Sequence, residues 1–357
     1  MLKLLDILKA AVAKGASDVH LVVGRPPLIR VGGEIVPLDG AQTVTRDESR
    51  RLIYSVLYEY QRTRFEDAWE LDCSLNVPDV SRFRVNVYRQ RKGLGAVLRV
   101  IPSKIPTPEQ IGLPPAVIRT TREARGFVLV TGPTNSGKST TMASLVQAIN
   151  AAQRKTVLTV EDPIEFVHRD AKSIVIQREV GQHTKSFAEA LRHAMRQDPD
   201  VIMIGEMRDL ETISLAMTAA ETGHLCFATL HTQDAPTSID RIVDVYAPEQ
   251  QQQARVQLSM VLKAVVSQTL LPRLDGKGRV CAREVMVATP AVRNLIRQGK
   301  IHMLHGVIES SARSGMITMD QHLAHLVKNG VVSRDEALAK ARDPHNLIQL
   351  LAIRKHA

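Results

Sequence analysis

The segment 132–139, with sequence GPTNSGKS, constrains the fold of this chain more than any other feature. It fits the GxxxxGK[ST] pattern of a phosphate-binding loop. An apolar, strand-like segment precedes it at 127–131, and a helical pattern follows at 139–151. Glycines let the backbone curl so that its N–H groups point at phosphates, and the helix N-terminus adds a favourable dipole. The pattern therefore predicts an α/β nucleotide-binding domain.

The side chains of this loop predict ATP and Mg²⁺ as the bound groups. Lys138 is expected to reach the β- and γ-phosphates, and the Ser139 hydroxyl is expected to ligate Mg²⁺. The predicted nucleotide contacts are Gly132, Pro133, Thr134, Asn135, Ser136, Gly137, Lys138, Ser139 and Thr140.

Two further apolar segments end in carboxylates, as the chemistry of a phosphate loop requires. Segment 201–205 leads to Glu206, and segment 156–160 leads to Glu161. The carboxyl ends of parallel strands meet at the edge of the sheet where ligands bind. Glu161 is the predicted general base. Glu206 is expected to hold Mg²⁺, partly through water, or to polarise the attacking water, although Gly205 stands where Asp is usual in a Walker B strand.

His224 and His231 stand on either side of another apolar segment, 225–229. Zinc ligation is not favoured because no cysteine or third histidine lies at a metal-site spacing. His231 is interpreted either as a sensor of the nucleotide state or as an ordinary structural residue.

The pattern along the chain predicts four regions. Residues 1–101 indicate a small α+β domain, with a hairpin at 27–38, a capping box at 45–48 opening a helix toward Trp69, and strands on either side of a turn near Gly93. A proline-rich linker is predicted at 102–118. Apolar strands then alternate with helices over 119–288, and 289–357 is predicted to be helical.

Composition excludes several classes. The 357 residues suffice for two domains, and 44% hydrophobic content excludes a disordered chain. No apolar run reaches the roughly 18 residues of a bilayer span, and the N-terminus does not have the pattern of a secretory signal. Three scattered cysteines argue against disulfide and zinc frameworks. The net charge of +10 is compatible with nucleotides, nucleic acid or an anionic membrane.

Further motifs resemble those of the type II/IV secretion ATPase superfamily, in the same order. Segments 161–165 (EDPIE), 205–209 (GEMRD) and 223–232 (GHL…HT) resemble its Asp box, Walker B and His box. Segments 15–21 (GASDVHL) and 291–297 (AVRNLIR) resemble the signatures of its PilT-type twitching-motility (pilus retraction) branch. The resemblance extends over essentially the whole chain.

This resemblance implies an N-terminal PAS-like α+β domain, a RecA-like P-loop ATPase core and a helical C-terminal part. It also implies a homo-hexameric ring that hydrolyses ATP at the cytoplasmic face of the inner membrane and acts on a pilus platform protein. Arginines of the N-terminal domain would contact the phosphates, and Arg82 and Arg99 are the candidates. The alternative is that these arginines form the solvated face of a hairpin.

Three other functions remain open from the sequence. A pilus assembly or type II secretion ATPase usually has a longer N-terminal region and often a four-cysteine zinc module. A RecA-like nucleic-acid motor is suggested by the charge, but no basic stretch studded with aromatic residues is present, so no nucleic-acid partner is expected. A regulatory ATPase that binds nucleotide without transport is the third.

The sequence departs from the family pattern at three places. Asn135 stands where glycine is usual, although Asn tolerates a left-handed backbone better than most residues. Val292 replaces Ile in the C-terminal motif, and 310–317 does not have the usual glutamine-bearing pattern.

Overall fold

The computed structural model describes residues 3–101 and 104–352, which form two compact units. The first comprises Met1–Lys104 together with Pro163–Val167, and the second comprises Ile105–Asp162 and His168–Ala357. Leu2, Pro102 and residues 353–357, which fall in predicted elements, lie outside the described residues. No helix in the described part of the chain has the length and apolar content to cross a bilayer.

The first unit is an antiparallel sheet of six strands covered by three helices. The strand order is β3-β2-β1-β6-β5-β4. A core that includes Leu8, Phe65 and Phe83 lies between the sheet and the helices. The helices are α1 (Leu4–Ala13), α2 (Arg46–Tyr54) and α3 (Glu59–Ala68), and the strands are β1 (Asp18–Leu21), β2 (Leu28–Val31), β3 (Glu34–Pro37), β4 (Glu70–Val77), β5 (Ser81–Gln90) and β6 (Gly93–Ile101).

The hairpin of β2 and β3, the Thr45 capping box and the β5–β6 hairpin are confirmed. The single helix predicted to run toward Trp69 is wrong, because the chain breaks it between Tyr54 and Glu59. Tyr58 has an extended backbone there, and its N–H donates to the Gln61 side chain to start a second helix. Two N-caps, at Thr45 and Tyr58, therefore divide into two helices a segment that hydrophobic periodicity alone predicts as one.

The second unit is built on a seven-stranded sheet in the order β13-β12-β7-β11-β10-β8-β9. All neighbours are parallel except β12 and β13. Apolar side chains pack on both faces, which is why these strands are nearly all apolar. The strands are β7 (Gly126–Thr131), β8 (Thr156–Glu161), β9 (Ile174–Glu179), β10 (Val201–Ile204), β11 (Leu225–Leu230), β12 (Leu262–Pro272) and β13 (Arg279–Val287).

Helices flank this sheet and form the C-terminal part of the unit. The predicted α/β class, with an α+β unit preceding a parallel sheet, is confirmed. The helices are α4 (Pro115–Arg119), α5 (Lys138–Ala152), α6 (Phe187–Ala194), α7 (Leu210–Glu221), α8 (Ala235–Asp244), α9 (Pro248–Val261), α10 (Pro290–Arg297), α11 (Leu304–Ser310), α12 (Met319–Lys328), α13 (Arg334–Leu338) and α14 (Pro344–Ala352).

Residues 105–118, within the stretch predicted as a linker, belong to the second unit and contribute side chains to its core. Leu113 and Val117 are buried in the core of the second unit, and α4 forms part of its surface layer. Proline at the start of α4 is compatible with a helix because the first N–H of a helix has no partner within it.

Candidate nucleotide-binding and hydrolysis site

The phosphate-binding loop joins the end of β7 to the start of α5. Gly132 has a φ of +141° and Gly137 a φ of +90°, values that side chains rarely tolerate. A Cβ at Gly132 would also clash with the Gln268 carbonyl oxygen. Both glycines of the motif are therefore required by local geometry.

Asn135 adopts a left-handed backbone, with a φ of +64°. Asparagine is among the few residues other than glycine that populate this region readily, because its short amide side chain can bond locally. The loop therefore keeps the curled geometry at the position where the sequence departs from the family.

The Lys138 ammonium folds back over the loop. Its Nζ donates to the Gly132 carbonyl at 2.7 Å and to the Pro133 carbonyl at 3.0 Å. Ser139 is exposed in the first turn of α5, and Thr140 beside it is partly exposed. Lys138 thus stands above a ring of backbone groups at a helix N-terminus, which is the arrangement that binds polyphosphates.

Gln268 of β12 bonds to the phosphate-binding loop and to the first turn of α5. Its Nε2 donates to the Ser136 carbonyl at 2.9 Å, and its Oε1 accepts from the Thr141 hydroxyl at 3.0 Å. Gln268 was not predicted from the sequence, because no strand was predicted in its region. The available signal was three consecutive polar residues, Ser267, Gln268 and Thr269, inside the otherwise apolar run 264–271.

Glu206 follows β10 and is held by two side chains, Arg208 and His231. Arg208 donates to both of its oxygens, at 2.7 and 2.8 Å, and His231 Nε2 lies 2.8 Å from Oε1. Burial alone would raise the pKa of Glu206, but the hydrogen bonds and charges of Arg208 and His231 outweigh it and hold that pKa below its ordinary value. Glu206 and His231, predicted from separate motifs, thus form one cluster, and Arg208 was missed.

Glu161 ends β8 and is buried. Its Oε1 accepts from the Thr159 hydroxyl at 2.7 Å and from the Gln177 amide at 3.1 Å. Gly205 lies against this strand end, since a Cβ there would stand 3.1 Å from the Val160 carbonyl oxygen and 3.3 Å from Glu161 Cα. The close packing accounts for glycine at a position where an Asp side chain would crowd the chain beside Glu161.

Magnesium fits the donors on this edge of the sheet. Mg²⁺ in nucleotide sites is usually held by one or two protein oxygens, phosphate oxygens and water. The exposed Ser139 hydroxyl and the Glu206 carboxylate supply such oxygens. The described residues include no group of three or more His, Cys, Asp or Glu side chains able to hold an ion by themselves.

The two arginine candidates lie on the first unit. Arg82 Nε donates to the Ile164 carbonyl at 2.9 Å, and its Nη2 donates to the Ser74 hydroxyl at 2.7 Å. Arg99 Nε donates to Asp18 Oδ1 at 2.9 Å. Asp18, from the N-terminal signature, is buried, and its pKa is lowered because the Arg99 hydrogen bond and charge outweigh the effect of burial.

Comparison with known proteins identifies relatives of nearly the same length. Residues 2–299 match the family model described as type II/IV secretion system protein. The chain is 48% identical to the type IV pilus retraction ATPase PilT of Pseudomonas aeruginosa, over 96% of this chain and 98% of that one. It is 44% identical to a twitching motility protein of Neisseria gonorrhoeae, over 96% and 92% respectively.

A solved structure resembles the whole fold. The crystal structure of a pilus retraction motor, PilT with bound ADP, superposes with a TM-score of 0.91 at 46% identity, and the match covers 98% of this chain and 100% of that one.

Proposed function

Because this chain belongs to the type II/IV secretion system protein family, we propose that it is an ATP-hydrolysing motor that powers retraction of type IV pili. The observation that carries the proposal is the 48% identity, over nearly the full length of both chains, to a pilus retraction ATPase. The phosphate loop and the carboxylates at the ends of β8 and β10 supply the chemistry that such a motor needs.

The loop binds the phosphates of Mg²⁺-ATP. The residues of 132–140 other than Pro133 provide backbone N–H groups, Lys138 contacts the β- and γ-phosphates, and Ser139 ligates the ion. The solved relative has ADP bound, which supports an adenine nucleotide as the ligand.

Glu161 acts as the general base that accepts a proton from the attacking water. The Thr159 hydroxyl and the Gln177 amide both donate to one oxygen of the Glu161 carboxylate, so this carboxylate is oriented before the reaction. Glu206 contributes to the metal shell, partly through water, while His231 and Arg208 report on the charge at that carboxylate. Release of phosphate would change the charge these groups face, which is the usual basis of a nucleotide-state sensor.

The assembly and location follow from the same proposal. The motor forms a homo-hexamer at the cytoplasmic face of the inner membrane and acts on the pilus platform protein. Arg82 and Arg99 contact the nucleotide phosphates during the cycle, for which a guanidinium provides a fixed charge and several donors. Arg99 would exchange its present bond to Asp18 for phosphate, whereas Arg82 would keep its Nε bond to the Ile164 carbonyl and reach phosphate through its terminal Nη groups.

Counting surface pili in a strain that has lost this gene tests the direction of the motor. Abundant pili without twitching motility are expected, and complementation should restore movement. A bald surface would identify an assembly ATPase, and unchanged pili with normal twitching would contradict the proposal.

A further inference from the structure

Four polar side chains share one face where β8 and β9 end. Thr159 pairs in register with Gln177, and Glu161 pairs with Glu179. Residues two apart on a strand point to the same side of the sheet, and registered residues on neighbouring strands lie side by side. The proposed base is therefore one member of a polar group that spans two strands.

Gln177 uses both ends of its amide within this group. Its Nε2 donates to Glu161 Oε1 at 3.1 Å, and its Oε1 accepts from the His168 backbone N–H at 2.8 Å. A reversed amide would place oxygen against the carboxylate and NH₂ against an N–H donor. Only one orientation is therefore favourable, and the amide is a rigid link between the two partners.

The two partners of Gln177 flank the segment Pro163–Val167, here called the crossing segment. The chain leaves the second unit after Asp162, contributes the crossing segment to the first unit and returns at His168. Glu161 lies just before the departure and His168 at the return. Gln177 thus bonds to residues on both sides of the crossing segment.

The crossing segment is itself fixed within the first unit. Arg82 Nε donates to the Ile164 carbonyl at 2.9 Å, and Arg84 lies 3.6 Å from the Glu165 carboxylate. The ion pair is partly exposed and adds little, whereas the Arg82 bond is made by a charged donor to a buried residue. The crossing segment is therefore bonded within the first unit, whereas residues 161 and 168 at its two ends belong to the second unit.

We propose that Gln177 is a positioning residue: it holds the Glu161 carboxylate in the geometry for proton abstraction and ties that carboxylate to the crossing segment. The inference rests on the proposed role of Glu161 as the base. A displacement of about 1 Å at a reacting group lowers rates by as much as a hundredfold.

The test compares ATP turnover with nucleotide binding in the full-length protein. Gln177→Leu keeps the volume of the side chain and removes both bonds. We expect kcat to fall roughly 10- to 100-fold, while KM and the affinity for a fluorescent ADP analogue stay within about twofold. Thr159→Val, which removes the second donor to the same oxygen, should lower kcat in the same way, and Gln177→Asn should be intermediate. Wild-type kcat in Gln177→Leu would overturn the inference, whatever the result for Thr159→Val.

Gln153→Leu is the matched control. Gln153 donates a single amide bond, to the Thr121 carbonyl in the same unit, away from Glu161. Its kcat should remain at the wild-type value, so that the loss in Gln177→Leu cannot be a general effect of removing a glutamine. An equal fall of kcat in Gln153→Leu would overturn the positioning role.

Glu161→Gln separates this inference from the function it rests on. If Glu161→Gln abolishes turnover while Gln177→Leu is fully active, the base assignment stands and the positioning role of Gln177 is wrong. If Glu161→Gln turns over ATP normally, the base assignment fails and the inference fails with it.

Discussion

Single residues explain why this sequence tolerates a substitution within its most demanding motif. The phosphate loop needs positive φ at Gly132, Asn135 and Gly137, and the structure has all three. The two glycines pack against Gln268, but only at Gly132 would a side chain clash with backbone. Asn135 is exposed, so its side chain costs no packing, and what remains is the small intrinsic cost of a left-handed asparagine.

Replacing Asn135 by glycine should therefore change nucleotide affinity only slightly. We expect Asn135→Gly to alter the dissociation constant of a fluorescent ATP analogue less than about threefold, since the loop is already curled. Asn135→Ala, which cannot relieve a positive φ, should destabilise the protein by about 1 kcal/mol. Tightening of more than tenfold in Asn135→Gly would show that the natural loop is substantially impaired.

Among the elements, strands and helices with clear periodicity or caps could be predicted, whereas those defined by distant partners could not. The strands at 127–131, 156–160, 201–205 and 225–229 were predicted nearly to the residue, because strands buried on both faces are continuously apolar. The hairpin of β12 and β13 was missed. Leu262 begins β12 directly at the end of α9, without a turn residue to mark the change.

The site shows the same division. The places of Lys138, Glu161 and Glu206 at the ends of elements could be predicted because each follows or opens an element with a recognisable pattern. The contacts of Gln177 and Gln268 were missed because they depend on which strands are neighbours, a fact set by sheet order. Arg208 was missed although it bonds Glu206 only two residues away, because the sequence does not show that its side chain folds back onto that carboxylate. The attachment of the crossing segment to the first unit likewise depends on tertiary contacts, chiefly the bond from Arg82 to Ile164.

The C-terminal signature, 291–297, has a structural explanation in Arg293 on α10. Its guanidinium donates to the carbonyls of Ala288 and Leu262 at 2.9 and 3.3 Å, and to that of Met260 at 3.4 Å. A cation near the C-terminus of a helix bonds the last carbonyls and complements the helix dipole. Arg293 therefore fixes the end of α9 where the chain turns into β12.

Arg293→Met should consequently lower the free energy of unfolding by about 1–3 kcal/mol. The measurement is urea unfolding followed by circular dichroism. Arg297→Met is the matched control, because Arg297 belongs to the same motif but is exposed, and it should stay within about 0.5 kcal/mol of wild type. Equal free energies of unfolding for Arg293→Met and Arg297→Met would show that Arg293 does not stabilise the end of α9.

At the scale of the whole molecule, two histidines of the second unit make folding sensitive to acid. Burial lowers the pKa of His168 to about 4, and burial likewise lowers the pKa of His322 to about 4. Both are neutral in the folded protein at pH values where the unfolded chain, with an ordinary pKa of 6.5, takes up protons. Stability is therefore full above about pH 6.5 and is lost as the pH falls toward 4.

His168→Gln should make the free energy of unfolding depend less steeply on pH, because it removes one of the two buried histidines. Each histidine contributes up to roughly 2–3 kcal/mol to the loss between pH 6.5 and 4. Urea unfolding midpoints measured at pH 7, 6 and 5 should fall less steeply in His168→Gln than in wild type. His302→Gln, which replaces an exposed histidine, should follow the wild-type curve. Parallel curves for His168→Gln and wild type would contradict the account.

The central claim concerns the complete motor: ATP turnover with Glu161 as the base drives pilus retraction. The most direct test is live imaging of labelled pili in cells that carry Glu161→Gln at the native locus. The account predicts long pili that extend but do not retract, with the variant protein present at the normal level and still able to bind nucleotide. Retraction at the wild-type frequency and speed would contradict it.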